Sequence, residues 1–243
     1  MAELIARKQD IIMNDDIPGD YADVVPEPRP IAWVTWSLVG TTVAVFLLQL
    51  HRLHQDGEDV IGNTLAFSSQ AWADHRYWTL ITYAWVHAVE MFGNSSYFWL
   101  HIVSNMIPLI CLGPALERIL GAWSYLGLYI GGAIASALVW FVFNLNAGPD
   151  DGIIGASGAV FALIAGIGTA APRVRVTVFL FYVLPLRMSM SVLALTACGI
   201  ELASILFHWM PEIAHTAHLG GAAFGFLYVL AMKPKGQGDF FVR

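Results

Sequence analysis

The sequence predicts an all-α membrane protein, a six-transmembrane-helix bundle with both termini in the cytoplasm. Three observations carry this. Of 243 residues, 57% are hydrophobic and only 12% charged, with a mean hydropathy of +0.63. A soluble domain carries about 25% charged residues, so most of this chain does not face water. Six apolar segments also reach or approach the roughly 20 residues that a bilayer-spanning helix needs. Finally, Lys and Arg fall almost entirely on one side of that arrangement.

In order along the chain, residues 1–30 read as a cytoplasmic tail exposed to water. They are acidic at Asp15, Asp16, Asp20, Asp23 and Glu27, carry Pro26, Pro28 and Pro30, and lack the apolar core of a signal peptide. The membrane domain is expected over residues 31–233. Its first span, Ile31–Leu50, holds no charge. The second, Tyr97–Leu112, is shorter and carries His101, Asn105 and Pro108. The third and fourth, Ala122–Leu145 and Ile153–Ala171, are uncharged. The fifth, Met188–Trp209, carries one acid, Glu201, and the sixth, Ile213–Met232, carries His215 and His218. Val176–Leu186 holds Pro185 and is too short to span, so it reads as interfacial or re-entrant. Residues 234–243 form a second cytoplasmic tail. Cys111 and Cys198 fall inside predicted spans without metal-type spacing and read as small buried apolar residues.

Orientation follows from the basic residues. Six spans place Arg7, Lys8, Arg29, Arg118, Arg173, Arg175, Arg187, Lys233, Lys235 and Arg243 on one side, against Arg52 and Arg76 on the other. The bacterial plasma membrane suits that orientation. The net charge of −6 resides in tails and loops and gives no sign of a nucleic-acid partner.

Ser157, His218 and His101 then each lie four or five residues into a span entered from outside, ~6–8 Å below the outer rim at 1.5 Å per residue. Asn105 follows His101 by one turn on the same face. Singly, each polar group reads as an ordinary helix contact. Together, a serine, a histidine and two further donors at one depth match the requirements of acyl transfer. Ser157 needs a base, and His218 is the candidate. A developing oxyanion needs donors, which Asn105, His101 and the Ser157 backbone N–H supply. No acid is evident beside His218, so the expectation is a Ser–His dyad without the usual third member. Gly155, Gly158 and Ala159 leave room around Ser157. Gly221 and Gly225 give the last span a small-xxx-small face for close helix approach. Phe161, one turn after Ser157, is placed to pack on the His218 ring or to make ordinary core contact.

Four motifs resemble the rhomboid intramembrane serine proteases: HIVSN with His101 and Asn105, GPALERILG with Glu117, GASGA with Ser157, and AHLGGAAFG with His218. Their order and placement on the spans match, over about residues 76–232. The resemblance implies a six-helix bundle that hydrolyses peptide bonds in or near transmembrane segments of membrane proteins, without a metal or cofactor. Ser157 and His218 would form the dyad, and His101 and Asn105 the oxyanion hole. The stretch RYWTLITYAWVH, Arg76 to His87, would lie partly in the membrane. The chain departs from the family in having Trp78-Thr79 where Trp-Arg is usual. It also sets His87 fourteen residues before His101, a longer insert than the family carries. Glu117 is expected to tether the start of the third span, and Glu201 to be a neutral, hydrogen-bonded acid or part of a gate on the fifth.

Two other readings compete. A non-catalytic rhomboid-like factor that binds membrane proteins would be expected to lack Ser157 or His218, and both are present. A metal site or transporter is suggested by the pairs His215/His218 and His51/His54, but there is no HExxH, and no acid is expected to sit beside either pair. The natural substrate and the oligomeric state are not legible in the sequence.

Overall fold

The computed structural model describes residues 31–89, 98–148, 151–180, 183–210 and 213–232. The chain divides into two compact units, residues 1–31 and 32–243, and the second holds every described residue except Ile31. The two expected tails lie outside the described residues.

Helix α1, Trp33–Asp56, runs past the predicted end at Leu50. An Arg52–Asp56 pair at 2.9 Å supports the extra turn, and Gly57 ends it in the left-handed conformation, its N–H bonded to the Leu53 carbonyl. The start of α1 has no capping side chain of its own. Glu117 supplies one from another helix. Its carboxylate accepts from the Val34 N–H at 3.0 Å, the Thr35 N–H at 2.8 Å and the Thr35 hydroxyl at 2.7 Å. An anion there satisfies orphan N–H groups and complements the helix dipole. Glu117 therefore tethers the first span, not the third: it sits at the far end of its own helix, beside the start of α1.

Short elements follow: α2 Val60–Leu65, β1 Phe67–Ser68, α3 Ser69–Ala73 and α4 Thr79–Thr82. Tyr77 and Trp78 are exposed while Tyr83, Ala84, Val86 and His87 are buried. This segment is thus half outward and half docked on the bundle. α5, Phe98–Leu120, contains Pro108 and Pro114 and continues beyond the predicted limit at Leu112. Each proline removes one N–H, and the helix carries on until Gly121, at φ +80°. α6, Ala122–Phe143, leads through β2, Gly152–Ile153, to α7, Ser157–Ala170. β2 pairs antiparallel with β1, Ile153 opposite Phe67, so the segment after α1 is stitched to the approach to Ser157.

Strands β3, Arg175–Leu180, and β4, Leu184–Ser189, form an antiparallel hairpin. The described residues of the run at 176–186 therefore pair across a two-stranded ladder. α8, Met190–Phe207, and α9, His215–Met232, complete the domain. Cys111 is exposed and Cys198 only partly buried, contrary to the buried reading.

Among the described residues, four helices, α1, α5, α6 and α8, are long and apolar enough to cross a membrane. α7, with 14 residues, extends about 21 Å at 1.5 Å per residue, short of a bilayer core. It does not need the length, because it is enclosed by protein: α5, α6, α8 and α9 all pack on it, and nine of its fourteen residues are buried.

Candidate active site

Among the described residues, the most extensive helix pairing is α7 with α9. Small residues make it so. A methyl group at Gly221 would collide with the Gly158 carbonyl, and one at Gly225 with the Ala162 carbonyl. The two backbones touch along this seam, as a small-xxx-small register permits. The contact brings the first turn of α9 to the first residue of α7. His218 Nε2 lies 2.8 Å from Ser157 Oγ. Phe161, one turn along α7, stacks on the His218 ring with centroids 4.5 Å apart and planes 7° from parallel. Ser157 is half-buried and His218 is buried.

His101, near the start of α5, faces the loop before Ser157. The Ala88 N–H donates to His101 Nδ1 at 3.0 Å, so Nδ1 is an acceptor and Nε2 carries the proton. That N–H points at Gly155, whose φ of +103° and missing side chain admit it. A methyl there would lie 2.6 Å from Nε2. Asn105 donates one amide N–H to the His101 carbonyl at 2.7 Å, which leaves it one more, while its Oδ1 is buried without a partner. α7 has no side-chain cap, and the N–H groups of its first turn lack intrahelical acceptors.

His87 joins this group despite the long insert. It is fully buried, its ring centroid is 5.1 Å from that of His101, and its Nε2 lies 3.5 Å from the Ala156 N–H. Gln49 holds its backbone on both sides, accepting from the His87 N–H at 3.0 Å and donating to its carbonyl at 3.1 Å. Burial first, and the adjacent His101 second, push His87 down to about 3, so the ring is neutral.

One expectation is overturned. Glu201 of α8 does stand beside the histidines. Its Oε2 lies 2.6 Å from His215 Nδ1 and 3.0 Å from His218 Nδ1. The first contact is a hydrogen bond. The second is close but off the line of a good hydrogen bond, and leaves His218 Nδ1 with no other partner. The reading that no acid lies near His218, or near the His215/His218 pair, fails because the acid arrives from a neighbouring helix. Sequence spacing on one helix does not reveal it. The three ligand atoms lie within 4.8 Å of one another. However, a 2.6 Å oxygen–nitrogen contact fits a shared proton, whereas zinc bonds near 2.0 Å in a tetrahedron set donors about 3.3 Å apart.

A cleft of 890 Å³ opens beside this cluster, lined by Trp140, Asn144, Asp151, Ser204, Trp209 and His215 among others. It reaches His215 and does not include Ser157.

A family model described as the Rhomboid domain matches residues 74–235. The chain belongs to the rhomboid family. Among curated rhomboid relatives, it is 31% identical over 135 residues to "Presenilin-associated rhomboid-like protein A, mitochondrial" of Danio rerio, covering 56% of this chain and 34% of that one. It is 25% identical over 207 residues to "Rhomboid protein 1, mitochondrial" of Saccharomyces cerevisiae, covering 80% and 52%. It is 26% identical over 164 residues to "RHOMBOID-like protein 5" of Arabidopsis thaliana, covering 65% and 45%. The chain thus spans between about a third and a half of the length of these rhomboid relatives. Their names overturn the placement in a bacterial plasma membrane, since two of the three are mitochondrial. Loop charge fixes which way a rhomboid domain faces, not which membrane holds it.

Proposed function

We propose that this chain is an intramembrane serine endopeptidase that cuts peptide bonds in or near the transmembrane segments of other membrane proteins, in a mitochondrial membrane. α1, α5, α6, α7, α8 and α9 are its six membrane helices, and both termini lie on one side. The observation that carries the reading is the 2.8 Å contact between Ser157 Oγ and His218 Nε2. His218 takes the Ser157 proton as Oγ attacks the substrate carbonyl, then returns it to the leaving amine. The charge that develops on the carbonyl oxygen meets the His101 Nε2–H, the remaining Asn105 amide N–H and the first backbone N–H groups of α7. The acyl-enzyme is then hydrolysed by water. The mitochondrial placement follows the names of the relatives, and the reaction follows the family and the site geometry.

A fluorophosphonate probe and a generic single-span substrate test this on purified protein in detergent. Wild type should label and cut. Ser157→Ala should do neither, and His218→Ala should lose at least about three orders of magnitude in cleavage, as for removal of a serine–histidine partner elsewhere. Undiminished cleavage by Ser157→Ala would end the proposal. A wild type that binds the substrate without labelling or cutting would favour the non-catalytic rhomboid-like role.

A further inference from the structure

We infer that Glu201 is a positioning residue for His218 and that His215 holds Glu201 in place, so that four side chains, His215–Glu201–His218–Ser157, form one proton-ordered line. The inference rests on the serine-peptidase reading above and deepens it.

A proton inventory fixes the line. His215 Nε2 lies 2.9 Å from the Trp209 carbonyl and 3.1 Å from the Met210 carbonyl. Both are acceptors only, so Nε2 carries a hydrogen. These carbonyls belong to a segment that curls back in an unusual way. His208 and Met210 both adopt the left-handed region, at φ +54° and +45°. Non-glycine residues are held there only when the surroundings demand it. The other nitrogen of His215 meets Glu201 Oε2 at 2.6 Å. Two acceptors do not approach so closely without a proton between them. The pair therefore shares one proton, and Glu201 is anchored on the side away from Ser157.

The same oxygen faces His218 Nδ1 at 3.0 Å. A carboxylate oxygen there favours the tautomer with hydrogen on Nδ1, leaving the Nε2 lone pair toward Ser157 Oγ, as a base requires. As Ser157 attacks, the proton on Oγ moves to Nε2. The imidazolium so formed lies against the shared Glu201–His215 site, which takes up part of the new charge. A modest rotation of His218 would also bring its Nδ1–H onto the Glu201 oxygen. Phe161 stacked on the ring leaves rotation in the ring plane as the free motion. The alternative role for Glu201, a gate, needs it to be mobile, but it is 8% exposed, hydrogen-bonded to His215 and packed against His218.

The test compares wild type, Glu201→Gln and His215→Gln, each as full chain in detergent, after wild type has been shown to label at Ser157 and cut. Glutamine keeps the size but puts an amide N–H₂ within reach of His218 Nδ1, which favours the wrong tautomer. Glu201→Gln should lower kcat by about 10²-fold or more with KM within about twofold. The thermal midpoint should move little. His215→Gln should lower kcat by about three- to tenfold, since Glu201 loses its anchor but keeps its charge. In protein labelled with ¹⁵N-histidine, the wild-type His218 should show its proton on Nδ1 and lose it in Glu201→Gln. A Glu201→Gln kcat within about threefold of wild type would overturn the inference. So would His218 protonated on Nε2 in the resting wild type, a readout that holds even where the variants fail to fold. Failure of wild type to label or cut would instead remove the peptidase reading itself.

Discussion

Helices α7 and α8 are neighbours of nearly equal apolarity, and the structure treats them in opposite ways. α7 buries nine of fourteen residues and meets α9 backbone to backbone. α8 buries three of eighteen, Met190, Glu201 and Ser204, two of them polar, and exposes Val192, Leu195, Ile200, Leu202 and Leu206. In lipid, apolar side chains gain little by leaving the surface, so helix association there rests on close packing and polar contacts. α7 uses the first and α8 the second. Ser157 thus sits on the helix whose place is fixed by shape. The acid comes from the helix fastened by a few polar atoms.

Substitutions at glycine break that contrast most sharply. Gly221→Ala drives a methyl into the Gly158 carbonyl, so the helices must part. The expected result is an overpacking loss of roughly 1–3 kcal/mol, read as a lower thermal midpoint in detergent, with cleavage reduced further because His218 leaves Ser157. On α8, Gly199 has open space around it. Gly199→Ala should raise stability by about 0.5–1 kcal/mol, as for an unobstructed glycine inside a helix, and leave cleavage intact. Equal behaviour of the two variants would show that the seam is not what holds the site.

Glu117→Gln sharpens the comparison from a third place, where a charge rather than shape sets a helix start. One carboxylate oxygen becomes an amide that faces the Thr35 N–H or the Val34 N–H donor to donor. The loss should be about 1–3 kcal/mol of stability, with kcat per folded molecule unchanged. A fall in kcat without a fall in the thermal midpoint would place Glu117 in the chemistry instead. The smallest effect is expected at Phe161. Leucine there keeps bulk and loses the stacked ring, worth about 0.5–1.5 kcal/mol. Taken wholly from the transition state, this is a roughly two- to twelvefold drop in kcat, and an unchanged kcat would reduce Phe161 to a filler.

The same contrast explains what was legible in the sequence. Ser157 and His218 stand in small-residue frames because their helices touch there, so packing wrote the site into local composition. His101 and Asn105 share a helix face and were legible by spacing. Glu201 stands in an ordinary apolar run, and its partners lie 14 and 17 residues on, across a turn through His208 and Met210 whose conformation no spacing rule supplies. The β3–β4 hairpin escaped for another reason. An apolar run with a proline reads by length as interfacial, and strand pairing depends on a partner segment that periodicity alone did not mark. Glu117 was legible as a tether but not in its partner, since that depended on which helix start lay beside it.

Residues on both sides of the stretch between His87 and His101 are held by contacts of their own. Gln49 clamps the backbone at His87, the Ala88 N–H reaches His101, and the two rings sit 5.1 Å apart. A chain segment whose ends are pinned together can lengthen cheaply, since each doubling of a loop costs only about 0.6 kcal/mol in closure entropy. New sequence inserted there would leave the His87 backbone and the His101 ring where these contacts hold them. An epitope or a reporter grafted there would spare those contacts.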